Sequence, residues 1–435
     1  MRLKGVCMKN MNEVLKTRKL VRLVNGVPKY EYSGILRISS RPFEKENKIY
    51  EQHYDHSYAK NIIIDCVNDD CLAQIFTHVP ICERPKLTLV CKKWKRALDD
   101  SWFNVKKIEL THRRPDEFPN DLTKYLTIDG GYSVLESVLS KCGRFLTTLD
   151  LTAYGHYNIV PVINDSCPKL VKLCLRITYI NNRNLCDTFT RLSKLKILLI
   201  IFQMKALPLA PIVALMNSLK NVANTLTHLS LTNWVHDVRG CLDFTKLLND
   251  VLRDLKALKS LEVAGLEILH NSFDYFQSDP LMNITSLIMM GCRTTNETLY
   301  TIANTFKHLE VLHIKSEWVT DDGVVAISKM NNLQTLKFFG SHNITDSSVK
   351  LLEYMINLQL PCSTKITDDS VMKVLENSPK MDELDVSGTN VTAELVKKAA
   401  EISRNRKQHL IFRVSFIPDI QQYESPYFEI HLPVI

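Results

Sequence analysis

The sequence predicts an α/β solenoid of strand-plus-helix units preceded by a small all-α domain. Two observations carry that prediction. The first is an apolar spacing, L-x-x-L-x-L, seen at Leu146, Leu149 and Leu151, at Leu170, Leu173 and Leu175, and at Leu195, Leu198 and Ile200. It returns from Leu226, Leu258, Ile284, Leu309, Leu333 and Met381, in steps of 24, 25, 31, 32, 26, 25 and 24 residues and a final 48. The second is a pair of short apolar stripes at helical spacing between Leu72 and Trp94. One repeat cannot bury its apolar side alone, whereas a stack buries a continuous core.

Taken from the N-terminus, residues 1–60 show no repeat. They carry thirteen Lys/Arg against six Asp/Glu, so seven of the net charge of +8 lie there and the other 375 residues sum to +1. Met11, Val14, Leu15, Leu20, Val21 and Val24 can share a helix face opposite Lys16, Arg18, Lys19 and Arg22. A basic tail, a nuclear-import or anionic-surface patch and a mitochondrial targeting helix all fit this segment. Glu13 counts against the last.

Residues 62–104 hold the stripes. Leu72, Ile75, Phe76 and Val79 fall at i, i+3, i+4 and i+7, and Pro80 ends that helix. Leu87, Val90, Cys91 and Trp94 repeat the spacing. Two short helices with such stripes have more apolar surface than they can bury between themselves. On pattern alone the pair also fits an N-terminal cap on the solenoid.

The run Asp69-Asp70-Cys71-Leu72, Ile75-Phe76, Val79-Pro80, Leu89-Val90-Cys91-Lys92-Lys93-Trp94 resembles the F-box. One departure is Val67-Asn68, where that family usually has Leu-Pro, a pre-set backbone angle at the start of the helix. The resemblance implies docking on the adaptor subunit of an SCF-type cullin–RING ubiquitin ligase. It assigns that contact to Leu72, Ile75, Phe76, Pro80, Leu87, Val90, Cys91 and Trp94.

Residues 105–145 form a junction. Val105 to Leu110 alternates as a strand does, Pro115 to Pro119 is a loop, and Ser133 to Cys142 reads as the helix of an incomplete first repeat. Trp102-Phe103 just before it resembles the junction of F-box proteins that carry leucine-rich repeats.

Residues 146–414 are the solenoid, and their period is that of a leucine-rich-repeat horseshoe. Later units add Val319-Thr320-Asp321, Ile344-Thr345-Asp346, Ile366-Thr367-Asp368 and Val391-Thr392, where Thr or Asp can cap the following helix. This wording, with Cys292 and with Ser341 and Ser387 in its place elsewhere, resembles the cysteine-containing subtype of the repeat. One unit looks three residues short, because Leu333 to Thr345 is twelve residues and Leu358 to Thr367 only nine. The spacing assigns the loss to the strand, Leu358-Gln359-Leu360-Pro361. The long units from Leu195 and Leu226 predict an extra loop or helical turn after each strand.

The leucines point inward, so alternate residues face the concave side. There the reading places Ile197, Leu199 and Ile201, then Ile288 and Met290, then Phe339, with Trp234 and Trp318 on the rim. An apolar row of this kind invites a protein ligand. The tail, residues 415–435, is itself apolar enough to cover it.

Other function classes find no support. Among twelve cysteines no C-x-x-C pair occurs, His53 and His56 lack a third ligand, and no metal is expected. Buried reduced thiols are the expectation. P-loop, G-x-S-x-G, H-E-x-x-H and dinucleotide fingerprints are all missing, so neither cofactor nor catalysis is expected. The repeats carry no basic excess for nucleic acid, and no apolar run reaches the ~18–20 residues of a membrane span. The F-box resemblance then implies a noncatalytic substrate-recognition subunit in cytoplasm or nucleus, holding a protein target for ubiquitination. A scaffold that recruits no ligase is the second reading.

Overall fold

A computed structural model describes residues 19–24, 27–31, 67–79, 84–111, 128–178, 188–203, 209–233, 244–265, 283–290, 294–315, 317–340, 343–415, 423 and 425–432. The chain divides into two units, residues 1–80 with 86–101 and residues 81–85 with 102–435.

In the first unit, strands β1 (Lys19–Val24) and β2 (Val27–Glu31) pair antiparallel, with Val24 opposite Val27. The helical face expected through Leu20, Val21 and Val24 is therefore wrong. Asn25-Gly26 between the strands is a hairpin signal that outweighs a loose helical spacing. Met11, Val14 and Leu15 lie outside the described residues.

Helix α1 (Asp69–Thr77) begins on Asn68, whose side chain accepts the Cys71 N–H at 2.8 Å. Two acids, Asp69 and Asp70, occupy its first turn, where the helix dipole favours them. An asparagine cap thus does the work of the missing Leu-Pro. Helix α2 (Arg84–Leu87) is a single turn, and α3 (Lys92–Ser101) packs on α1.

The second unit is one parallel sheet of thirteen strands in chain order. These are β3 (Lys107–Glu109), β4 (Thr148–Leu151), β5 (Lys172–Ile177), β6 (Ile197–Phe202), β7 (His228–Asn233), β8 (Ser260–Ala264) and β9 (Ser286–Met290). Then come β10 (Val311–Lys315), β11 (Thr335–Phe339), β12 (Asn357–Gln359), β13 (Glu383–Asp385), β14 (Leu410–Arg413) and β15 (Phe428–His431). Return helices between them are α4 (Ile128–Cys142), α5 (Val160–Ser166), α6 (Leu209–Ser218), α7 (Phe244–Leu252) and α8 (Asn296–Thr305). They continue as α9 (Asp321–Ile327), α10 (Asp346–Val349), α11 (Asp368–Asn377) and α12 (Ala393–Arg406). Strand positions alternate between buried and half-buried, as a sheet covered on one face requires. Leu149, Leu173, Leu198, Leu229, Leu261, Leu287, Leu312, Leu336, Leu358, Leu384 and Phe412 form one buried row, residue beside residue.

The Thr-Asp phrases do more than cap. Thr345, Thr367 and Thr392 each accept an N–H from their own helix, at 3.2, 3.4 and 3.2 Å. The aspartate that follows reaches the next repeat. Asp321 accepts the Thr345 N–H and hydroxyl at 2.8 and 2.7 Å, Asp346 those of Thr367 at 2.8 and 2.7 Å, and Asp368 those of Thr392 at 2.8 and 2.5 Å. Asn296 bridges to Thr320 in the same place, accepting its N–H and donating its own amide to the hydroxyl. The result is a polar ladder along the helix N-termini.

The short repeat has lost helix, not strand. Met355 is buried and stands where the first leucine belongs, so Met355, Leu358 and Leu360 complete the spacing. Met355 to Thr367 is then twelve residues, as Leu333 to Thr345 is. The deletion falls on α10, four residues long beside the seven of α9 and ten of α11. Tyr354, at φ 59°, turns the chain out of that shortened helix. In the long unit from Leu195, α6 runs on into a 3-10 turn, Leu219–Val222. The tail segment Phe428–His431 adds edgewise to β14, its Phe428 ring 5.8 Å from Phe412. That segment extends the sheet, and the reading of it as a cover over the concave face is corrected.

Candidate functional site

Two surfaces qualify, one in each unit. On the first, the helix pair sorts its apolar residues into inner and outer sets. Leu72 (1% exposed) and Phe76 (3%) are buried on the side of α1 that meets α3, and the Phe76 ring lies 5.1 Å from that of Trp94. Ile75, one step round α1, is 44% exposed. The expected single helix through Leu87, Val90, Cys91 and Trp94 is wrong. Helix α2 ends at Leu87, residues 88–90 turn, and α3 starts at Lys92 with the Trp94 N–H donating to Cys91 Sγ at 3.4 Å.

That turn leaves Val90 58% and Leu89 85% exposed. Leu87 and Trp94 are half-buried, Cys91 is exposed, and Pro80 lies outside the described residues. So Leu72 and Phe76 hold the helices together, while Ile75, Leu89 and Val90 form the outward apolar surface. Leu89 was missed as a contact residue because it falls outside the helical stripe Leu87, Val90, Cys91 and Trp94. The signal that finds it is the turn itself.

On the second unit, the open face of the sheet is a register of side chains. Its middle row runs Glu109, Asp150, Cys174, Leu199, Ser230, Glu262, Ile288, His313, Lys337, Gln359, Asp385, Arg413 and His431. The expected apolar row is therefore not continuous. Ile197 and Leu199 on β6 are separated from Ile288 and Met290 on β9 by two strands bearing Ser230, Thr232, Glu262 and Ala264. Phe339 stands two strands past β9, and His313 between them lies 6.5 Å from its ring.

Ile201 is only 6% exposed and leaves the candidate surface. Arg176, its partner on β5, bonds Gln203 Oε1 at 2.8 Å and the Ala153 carbonyl at 3.0 Å, a polar bridge beside it. Trp318 is 63% exposed just after β10; Trp234 lies outside the described residues. Toward the C-terminus the face becomes charged. Glu383 accepts from Arg413 Nε at 2.8 Å and lies 3.9 Å from Lys337 Nζ.

Burial pushes the Cys142 and Cys167 thiols up to about 12 and Cys174 to about 11, which keeps all three protonated and unreactive at neutral pH. Cys71, Cys91 and Cys362 are exposed, so the expectation of uniformly buried thiols is corrected. Cys292 lies outside the described residues.

The F-box domain family matches residues 64–106, over α1 to α3 and up to the residue before β3. The chain carries an F-box domain and is similar to F-box/leucine-rich-repeat proteins. It is 28% identical over 111 residues to human (Homo sapiens) F-box/LRR-repeat protein 12, a match covering 25% of this chain and 32% of that one. The mouse (Mus musculus) protein of that name is likewise 28% identical over 111 residues. The match thus spans about a third of the length of these relatives. A crystal structure of an internalin from Listeria monocytogenes aligns with 84% of this chain and 97% of its own, at 16% identity and a TM-score of 0.44. Among the described residues, no helix is long and apolar enough to cross a membrane.

Proposed function

We propose that this F-box/leucine-rich-repeat chain is the noncatalytic substrate-recognition subunit of an SCF-type ubiquitin ligase, working in cytoplasm or nucleus. The observation that carries the reading is the F-box match over residues 64–106 with Ile75, Leu89 and Val90 held out in water. Helices of this size gain nothing from displaying three large aliphatic side chains unless a partner covers them. The adaptor subunit covers them and links the chain to a cullin, while the open face of the sheet holds a target protein. Tethering then raises the effective concentration of target lysines at a charged ubiquitin-conjugating enzyme.

The test is affinity capture of the tagged full-length chain with and without Leu89→Asp and Val90→Asp. Each aliphatic side chain buried in the contact is worth about 1.5–3 kcal/mol, so the double variant is expected to weaken adaptor binding by at least about a hundredfold. Adaptor and cullin should vanish from the variant's capture while the F-box helices keep their amide protection. Undiminished adaptor capture would remove these residues from the contact. A wild-type chain that captures no cullin would leave the scaffold reading in place.

A further inference from the structure

The open face of the sheet is uneven, and the uneven part has a chemistry. Strands β9, β10 and β11 place nine residues there: Ser286, Ile288 and Met290, then Val311, His313 and Lys315, then Thr335, Lys337 and Phe339. The four large apolar residues among them are half-buried, so each keeps surface for a ligand. Every full charge among the nine is a lysine. Lys315 turns to Glu317, off the strand, at 2.8 Å. Lys337 has a carboxylate only at 3.9 Å, and that carboxylate, Glu383, is held by Arg413 at 2.8 Å. Lys337 thus has only one long contact, to a glutamate that Arg413 already engages, and its ammonium is open to a further carboxylate beside Phe339. Trp318, 63% exposed, follows Lys315 by three residues at the end of the strands where Met290 and Phe339 stand.

We propose that this patch seats an extended peptide segment of the target protein in which a bulky apolar residue neighbours an acidic one. The apolar side chain packs on Ile288, Met290 and Phe339, and the carboxylate reaches Lys337 or Lys315. The geometry suits such a segment, since β9 to β11 spans about 10 Å, three residues of extended chain. Burial, and next the Lys337 charge, hold the His313 imidazole below its ordinary pKa, so at neutral pH it adds apolar floor rather than a further charge. The strands on either side differ. β7 and β8 present Ser230, Thr232, Glu262 and Ala264, while on the other side β12 presents Asn357 and Gln359 and β13 beyond it Glu383 and Asp385. An acidic segment that strays from β9–β11 toward either flank meets carboxylates.

This inference deepens the receptor reading and rests on it, yet its test is separate from adaptor capture. The probe is a displayed library of random twelve-residue peptides, selected on the full-length chain and on its Lys315→Glu, Lys337→Glu variant. Peptides with Asp or Glu within two positions of Phe, Leu, Met or Trp should be enriched on the wild type. Fluorescein-labelled versions should bind the variant at least tenfold more weakly, and Phe339→Ala should lose as much without changing the acidic preference. Enrichment of basic or uncharged peptides, equal binding to the variant, or no enrichment overturns the proposal. So does a chain whose lysines bind a labelled oligonucleotide and no peptide. Retained adaptor capture in any of those cases leaves the ligase reading intact.

Discussion

Leu72→Asp is expected to melt the F-box helices, removing adaptor binding by loss of structure rather than loss of contact. Leu72 is 1% exposed on the side of α1 that packs on α3, where Phe76 meets Trp94. The substitution deletes a buried aliphatic side chain, worth about 2–5 kcal/mol by truncation alone. It also puts a carboxylate where it has neither water nor partner, which adds several kcal/mol or forces the group to take up a proton. A helix pair this small has no such reserve. Hydrogen exchange should show residues 69–77 and 92–101 unprotected, with β9 to β14 exchanging as in the wild type. Leu89→Asp with Val90→Asp should give the opposite pattern: full protection and no adaptor. If Leu72→Asp kept its helix protection, the inner and outer assignment of α1 would be wrong.

That contrast shows where sequence reading reached its limit. Helical spacing found Leu72, Ile75 and Phe76 on one stripe, but a stripe covers more than 100° of a helix. It does not say which edge faces the neighbouring helix and which faces water. Only the packing of α3 separates Leu72 and Phe76 from Ile75.

The solenoid was legible because its period is long-range and redundant, and one degraded phrase does not hide nine good ones. The short repeat was misread because Met355 fills a leucine position, and a search for leucines shifts the register by three. Counting to the capping threonine restores it. The charged end of the face was hidden for another reason. Lys337, Glu383 and Arg413 lie 30 to 76 residues apart in sequence, and only strand register brings them together.

Asp346→Ala is expected to loosen the C-terminal repeats by about 2–3 kcal/mol at neutral pH, the range for a charged hydrogen-bond acceptor lost among part-buried donors. Asp346 accepts from the Thr367 N–H and hydroxyl and, at 2.5 Å, from the Ser370 hydroxyl, so truncation strands three donors. In a solenoid this is a term between neighbouring repeats. The loss should therefore appear as faster amide exchange from α10 to β14 and not as uniform destabilisation.

Acid should act on the same ladder in a defined direction. Burial pulls the Asp346 carboxyl upward, but its hydrogen bonds from Ser370 and Thr367 outweigh that and hold it below its ordinary value; Asp321 is lowered likewise by Ser348, Thr345 and Ser347. A carboxyl with a depressed folded pKa contributes stability that is complete above its unfolded value, about 3.9. That contribution drains away as pH falls through the folded value. Asp346→Asn keeps the shape, as Asn296 does toward Thr320, but cannot be titrated. The gap between wild type and Asp346→Asn in urea unfolding should thus be full at pH 7 and narrow below pH 4. A gap that stayed constant with pH would mean that the ladder is held by shape, with the carboxylate's charge playing no part.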